Sequence, residues 1–225
     1  LLANETVAEH FFWLEVPFIY RIHEKPAFEK VEQLKIFLQS MGMTLRGSAD
    51  SVHPRELSSI LKSVEGKPSE GVVNTVTLRS MQKAFYGTSC EGHFGLALKY
   101  YCHFTSPIRR YPDLMIHRII KSVLQDGIDV KKMSHFRGAA EEAAEQSSAA
   151  ERKAIEVERE VEKLKKAEYM SYHIGEVYDG IISGTTSFGI YVQLENTVEG
   201  MIRIEDLWDD YYDYVPEKYA LVGEH

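Results

Sequence analysis

GHFGLALKYYCHFTSPIRRYPDLMIHRIIK, residues 92–121, is the most specific stretch of the chain, and its reading governs the rest. Its cations Lys99, Arg109, Arg110, Arg118 and Lys121 face a single acid, Asp113, inside a chain whose formal net charge is -8. A basic island in an acidic protein marks a place where an anion docks. Pro107 and Pro112 bracket the arginine pair; each fixes its own φ and pushes the residue before it out of the α region. The arginines therefore sit on a stiffened turn. The spacing of Leu114, Met115, Ile119, Ile120 and Leu124 predicts a helix that starts near Pro112, led in by an extended strand. Two guanidiniums beside a helix N-terminus suit a phosphate, since free N–H groups and the macrodipole already favour one there. A surface turn whose arginines pair with acids is the competing reading of the same residues.

HFTSPIRRYPDLMIHR, residues 103–118, preceded by GHFGLAL, resembles the signature of the RNB catalytic domain of the ribonuclease II and ribonuclease R family, and more closely its ribonuclease R branch. LLANETVAEH (1–10), PFIYRIHEKP (17–26) and MQKAFYGTSCEGHF (81–94) extend the likeness outward. It covers residues 1–173. The resemblance implies an enzyme that hydrolyses single-stranded RNA processively from its 3′ end and releases 5′-mononucleotides with Mg2+. Arg109 matches the family's catalytic arginine. His103, Thr105, Ser106 and Arg110 match positions around the phosphate and ribose. The family holds its metal with an aspartate-rich motif that precedes this part of the domain. No such cluster occurs in this sequence, so no metal ligand is expected in it, and alone it should bind RNA weakly without cleaving it.

With 225 residues and 44% hydrophobic content, the chain can fill one large or two modest cores. Its acidic balance excludes a simple polybasic nucleic-acid binder; RNA contact must come from local patches. Two cysteines, Cys90 and Cys102, form no CxxC pair, so neither a disulfide framework nor a zinc module is indicated, and a reducing cytoplasm fits. No apolar run approaches the ~20 residues of a membrane span. The chain opens on Leu1, which suggests a piece of a longer protein. A monomer acting on single-stranded RNA, including ribosome-associated RNA, is the expected state.

Upstream, residues 1–14 carry apolar side chains at helical spacing. FIYRIHE (18–24) alternates as a strand, leaving Arg21 and His23 either on a solvent-facing edge or along a polar channel. Helices are predicted over 27–41, ending at Gly42, over 54–64, ending at Gly66, and over 72–86, whose polar side carries Arg79, Gln82 and Lys83. Residues 134–172, rich in Ala, Glu, Lys and Arg with no proline, predict one long helix whose alanine-rich first half packs closely on the domain. Ala150–Glu151–Arg152 and Glu158–Arg159–Glu160 fall where the resemblance implies groups near the 3′ end of the RNA, with Glu158 the chosen contact.

From Gly175 the texture changes to GEVYDGIISGTTSFGIYVQLENTVEGMIRIEDL (175–207), alternating strands punctuated by glycine. This block, 174–225, resembles the first part of an S1 RNA-binding domain, a five-stranded OB-type barrel that stacks bases on exposed aromatics. Phe188, Tyr191 and Arg203 match its RNA-facing positions. WDDYYDYVPEKY (208–219) offers no further strand pattern, so the barrel is expected to lack at least one or two strands. The expected fold class is α+β: helices packed on a mixed or antiparallel sheet, then a truncated barrel.

Two other classes compete. A non-catalytic RNA-binding module fits the missing aspartates. A serine hydrolase built on Ser106, His103 and Asp113 would lack the G-x-S-x-G turn, and Pro107 has no N–H for an oxyanion hole. A zinc site from His93, His103 and His117 lacks helical i, i+3 or i, i+4 spacing.

Overall fold

A computed structural model describes residues 1–47, 52–127, 129–215 and 220–224. The chain is α+β and divides into two compact units that do not follow sequence order: residues 1–25 with 82–165, and residues 26–81 with 166–225. Among the described residues no helix is long and apolar enough to cross a membrane.

The first unit is built on α1 (Leu2–Trp13), β1 (Tyr20–Ile22), β2 (Phe85–Gly87), α5 (Tyr111–Asp126) and α6 (Val130–Ser171) up to Lys165. Asn4, Ala8 and Phe11 form the buried face of α1, at the i, i+4, i+7 spacing of one helical stripe. Phe11 stacks on Phe18 with ring centroids 4.9 Å apart. Phe18, Ile19, Tyr20 and Ile22 are all buried, and within β1 burial alternates, with the half-buried Arg21 on the face opposite Tyr20 and Ile22. Its partner β2 runs antiparallel, with Arg21 opposite Tyr86. Met115, Ile116 and Ile119 of α5 complete the core against Ala140, Ala143 and Ala144 of α6. Alanine leaves the α6 backbone close to the sheet, so that Ser148 hydroxyl accepts the Tyr86 N–H at 2.8 Å. The alanine-face expectation holds.

Two expectations for this unit are corrected. The helix expected over 72–86 stops at Ser80: Met81 is extended (φ -82, ψ 151), and Phe85–Gly87 becomes β2 because Tyr86 gains a ladder partner and a buried site next to α6. Gln82 and Lys83 thus lie off the helix. The strand expected to lead into the 111–126 helix is instead a tight loop, with a 3-10 turn at Phe94–Leu96, Gly92 at φ +82 and Ala97 at φ 55. Its link to β1 is the Arg21 N–H donating to the Tyr101 carbonyl at 2.9 Å.

The second unit packs α2 (Phe28–Ser40), α3 (Pro54–Val64) and α4 (Glu70–Ser80) on the strands that follow α6. Val31, Leu34 and Leu38 bury one stripe of α2, and Leu57, Ile60 and Val64 one stripe of α3. Pro54 opens α3 behind a His53 cap that accepts the Arg55 N–H, and Gly42 (φ +73) follows α2, as the sequence spacing predicts. β3 (Gly180–Thr186), β4 (Gly189–Leu194) and β5 (Glu199–Arg203) form an antiparallel meander. Gly189 (φ +151) is obligatory: a Cβ there would sit 2.0 Å from the Ile202 carbonyl oxygen. Beyond β5, where the pattern announced no strand, β6 (Tyr212–Val215) pairs antiparallel with β7 (Ala220–Gly223). Residues 216–219 of the acidic aromatic stretch and the terminal His225 lie outside the described residues.

The close approach of α6 sets a steric limit. Ala140→Leu should cost about 1–3 kcal/mol in urea unfolding, because Ala140 is fully buried and the extra carbons must displace packed neighbours; an unchanged midpoint would mean the helix rides loosely.

Candidate functional site

The turn at residues 103–113 is closed by one side chain. Asp113, 0% exposed in the first turn of α5, accepts the Ser106 N–H at 2.8 Å and Arg110 Nη2 at 2.7 Å on the same oxygen, Oδ1. Arg109 and Arg110 N–H both donate to the Ser106 carbonyl, at 3.3 and 3.1 Å. Pro112 occupies the first helical turn behind Arg110, whose backbone is extended. The two arginines are therefore not equivalent. Arg110 is half-buried and spent on Asp113, whereas Arg109 is exposed and its guanidinium has no partner among the described residues. The pairing with an acid holds at Arg110 alone. Asp113 is not aimed at a hydroxyl: its partners are a backbone amide and a guanidinium, so no Ser106–His103–Asp113 relay is present.

A second network lies in the same unit. Arg21 grips Glu151 of α6 through both nitrogens, at 2.6 and 3.0 Å, and its guanidinium carbon lies 4.6 Å from the centroid of the Tyr86 ring. This bidentate pair is the strong form of a carboxylate contact. Tyr86 hydroxyl in turn meets His103 Nδ1 at 2.9 Å. Burial, then the Arg110 and Arg21 charges, depress His103 to about 4, so it is neutral near pH 7. Burial likewise pushes the Tyr86 phenol up, so it keeps its proton. His93 is also held down to about 4, by burial and by His23 and Arg21. Its Nδ1 accepts the Leu96 N–H at 3.3 Å. The rings of His93 and His103 both meet Tyr101 edge to face, at 5.2 and 5.7 Å.

Asn4 ties α1 to this loop: its Oδ1 accepts the Phe104 N–H at 3.1 Å while its Nδ2 donates to Tyr101 hydroxyl at 3.4 Å. His117 is structural, donating from Nε2 to the Phe104 carbonyl at 2.9 Å and stacking on the Phe104 ring. Among the described residues no three His, Cys, Asp or Glu side chains gather where they could hold a metal ion.

Of the residues singled out from sequence, the turn brings His103, Thr105, Ser106, Arg109 and Arg110 together, with Thr105 exposed. Glu158 is exposed on α6, seven residues and so about 10 Å along the axis from Glu151, which is the carboxylate that reaches the network. In the second unit Phe188 is 63% exposed, Tyr191 is half-buried, and Arg203 is exposed beside Glu205 at 3.2 Å. Arg203 pairs with Gly189 and Met201 with Tyr191, which puts Tyr191 and Arg203 on one sheet face. Sequence reasoning did not single out Tyr86. Its signal was weak, since its ties to Arg21, His103 and Ser148 all span long sequence separations.

The family model described as RNB domain matches residues 1–126, and the model described as S1 RNA binding domain matches residues 171–225. Ribonuclease R 1 of Lactococcus lactis is 46% identical over all of this chain and 27% of its own length. Ribonuclease R of Aquifex aeolicus is 44% identical over 98% of this chain and 31% of its own. Among solved structures, Mycoplasma genitalium RNase R in complex with ribose methylated single-stranded RNA superposes with a TM-score of 0.89 at 31% identity, covering 99% of this chain and 35% of that one. The chain therefore spans about a third or less of the length of its curated relatives.

The asymmetry of the arginines predicts an asymmetry in stability. Asp113→Ala, which strands a buried guanidinium and a backbone N–H, should lower unfolding free energy by about 3–5 kcal/mol, while Arg109→Ala should stay within about 0.5 kcal/mol of the unmodified chain. Urea titrations decide it; equal losses would remove the distinction. The depressed histidines add a pH test. The unfolded chain binds protons near the ordinary imidazole value of 6.5, and the folded chain refuses them until about 4. Stability is then full above pH 6.5 and falls between 6.5 and 4. His103→Gln should flatten that slope, and an unaltered slope would show that His103 titrates normally.

Proposed function

The chain belongs to the RNB domain family, and on that premise we propose that it is the phosphate-binding part of a 3′-to-5′ hydrolytic exoribonuclease that degrades single-stranded RNA processively to 5′-mononucleotides. The observation that carries the reading is the exposed, unpartnered Arg109 on a turn locked by a buried carboxylate. In hydrolysis a water oxygen bonds to the phosphorus and the bond to the leaving 3′-oxygen breaks, while negative charge grows on the non-bridging oxygens. Arg109, a planar donor fixed before the substrate arrives, offsets that charge without reorganising. Arg110 contributes through the turn it closes with Asp113 and as a cation behind the phosphate.

Thr105 and Ser106 are proposed phosphate or ribose contacts on the same turn. His103, neutral near pH 7, contributes a hydrogen bond rather than a charge. Glu158, with Glu151 two turns before it on α6, is proposed to face the 3′ end of the RNA. Phe188, Tyr191 and Arg203 form the second contact region, on the S1-type strands. We infer domains at 1–173 and 174–225, a monomeric cytoplasmic parent protein, and ribosome-associated RNA among its substrates.

The divalent ion of the reaction is proposed to be Mg2+. The described residues do not fit it as a site, since no three ligating side chains converge, and the chemistry of this chain is accordingly that of its cations and hydroxyls. That same observation favours one other reading for the chain taken alone, a non-catalytic RNA-binding module.

The test uses 5′-labelled single-stranded RNA with the full-length parent protein and its Arg109→Ala variant, each with magnesium and with a chelator. The parent should give a ladder shortened from the 3′ end and abolished by the chelator. Arg109→Ala should slow it about 10²–10³-fold, as expected for loss of one preorganised donor to a developing oxyanion. RNA that is retarded but never shortened would leave the binding module as the correct description.

A further inference from the structure

The hydroxyl of Tyr86 lies 2.9 Å from His103 Nδ1 and makes no other hydrogen bond among the described residues. The direction of that bond decides what His103 can offer. A phenol donating to Nδ1 uses its own proton and leaves the imidazole N–H on Nε2. The reverse would leave a hydroxyl proton without an acceptor on a residue only 7% exposed, and a buried donor left unpaired is costly. Burial keeps the phenol protonated, and burial with the Arg110 and Arg21 charges keeps the imidazole neutral, so both groups can sustain the first direction. His103 is thereby set as the Nε2–H tautomer, since the hydrogen bond at one ring nitrogen fixes the state of the other. Nε2 has no partner among the described residues and is not one of their buried partnerless atoms, so it opens to solvent from the turn that carries Arg109.

We propose that Tyr86 is a positioning residue for the reaction: its hydroxyl holds His103 in the Nε2–H form, so that the turn offers an oxygen of the RNA a neutral N–H donor in addition to the Arg109 guanidinium. The inference rests on the nuclease reading above and adds to it a residue and a tautomer. The place of the Tyr86 hydroxyl is fixed from several sides. Its backbone N–H donates to Ser148 Oγ at 2.8 Å, its backbone stands opposite Arg21 in the β1–β2 pair, and its ring centroid lies 4.6 Å from the Arg21 guanidinium carbon. His103 is held against two rings: Tyr86 and Tyr101 both meet it edge to face, at 5.6 and 5.7 Å, and Tyr101 hydroxyl receives Asn4 Nδ2. A donor whose direction and protonation are set before the substrate arrives loses no energy to reorganisation. An imidazolium at this place would be opposed by Arg110 and Arg21, whereas a neutral N–H is not.

The experiment follows the shortening of 5′-labelled single-stranded RNA by the full-length parent protein with magnesium, at saturating and at limiting RNA. Tyr86→Phe keeps the ring beside Arg21 and removes the hydroxyl alone. It should lower the saturated and the limiting rate equally, by about tenfold, less than the roughly 10²–10³-fold that follows removal of a whole preorganised donor. His103→Ala should be at least as slow, and adding Tyr86→Phe to it should slow it no further, because Tyr86 acts through His103. His103→Gln carries an amide N–H that needs no tautomer, so Tyr86→Phe should be silent in that background as well. Thermal melts accompany each variant; should His103→Ala unfold, the His103→Gln pair decides the matter. If the parent shortens RNA and Tyr86→Phe does so within about twofold of its rate, or the losses of the two single variants multiply in the double one, the inference fails alone. If the unmodified parent does not shorten RNA, the nuclease reading fails and takes the inference with it.

Discussion

A carboxylate sealed from water, that of Asp113, holds the 103–113 turn, and the rest of the site depends on it. Burying an acid is costly unless it is paired and hydrogen-bonded. Here the pairing is supplied by groups that the turn itself must fix: the Ser106 amide at one end and the Arg110 guanidinium at the other. The first helical turn of α5 delivers the acid to that position, and Pro107 and Pro112 reduce the freedom of the segment it closes. Spending Arg110 inside the fold leaves Arg109 pointed outward on a support that cannot follow it inward. A stiff base under an exposed donor is the condition for binding charge that develops only during reaction.

The surroundings of the turn suit that role electrostatically. His93 and His103 are held neutral near pH 7 by burial and by neighbouring cations. Protonating His103 would add a charge that Arg110 and Arg21 repel. Arg21 in turn is cancelled by Glu151 through a bidentate contact, on top of the Tyr86 ring. Within the segment, whose positive character is evident against a chain total of -8, Arg110 is paired with Asp113 and Arg109 beside it is left open.

How much of this was legible in sequence follows from the range of the interactions. The 54–64 helix has the bounds expected of it, and the helix after Pro112 starts within a residue of its expected place, because proline and helical periodicity act locally. The alanine face of α6 was legible for the same reason. The 85–87 strand was not: Phe85 continues the helical spacing of the segment before it, and only β1, more than sixty residues away, makes it a strand. β6 escaped because Tyr212, Asp213 and Tyr214 alternate aromatic with acid, without the apolar residues that mark a strand. The arginine pair was recognised as a pair, but which of the two is spent depends on an i, i+3 contact to a carboxylate whose burial no local pattern reveals.

Residues 26–81 are inserted between two parts of the first unit, yet they pack with the strands after residue 166. The Arg79–Glu199–Ser183 contact crosses that sequence gap, joining α4 to β5 and β3. The helices of residues 26–81 and the strands after residue 166 thus belong to one compact unit. Residues of α2 and α4 supply one wall of a cleft that Tyr191 lines.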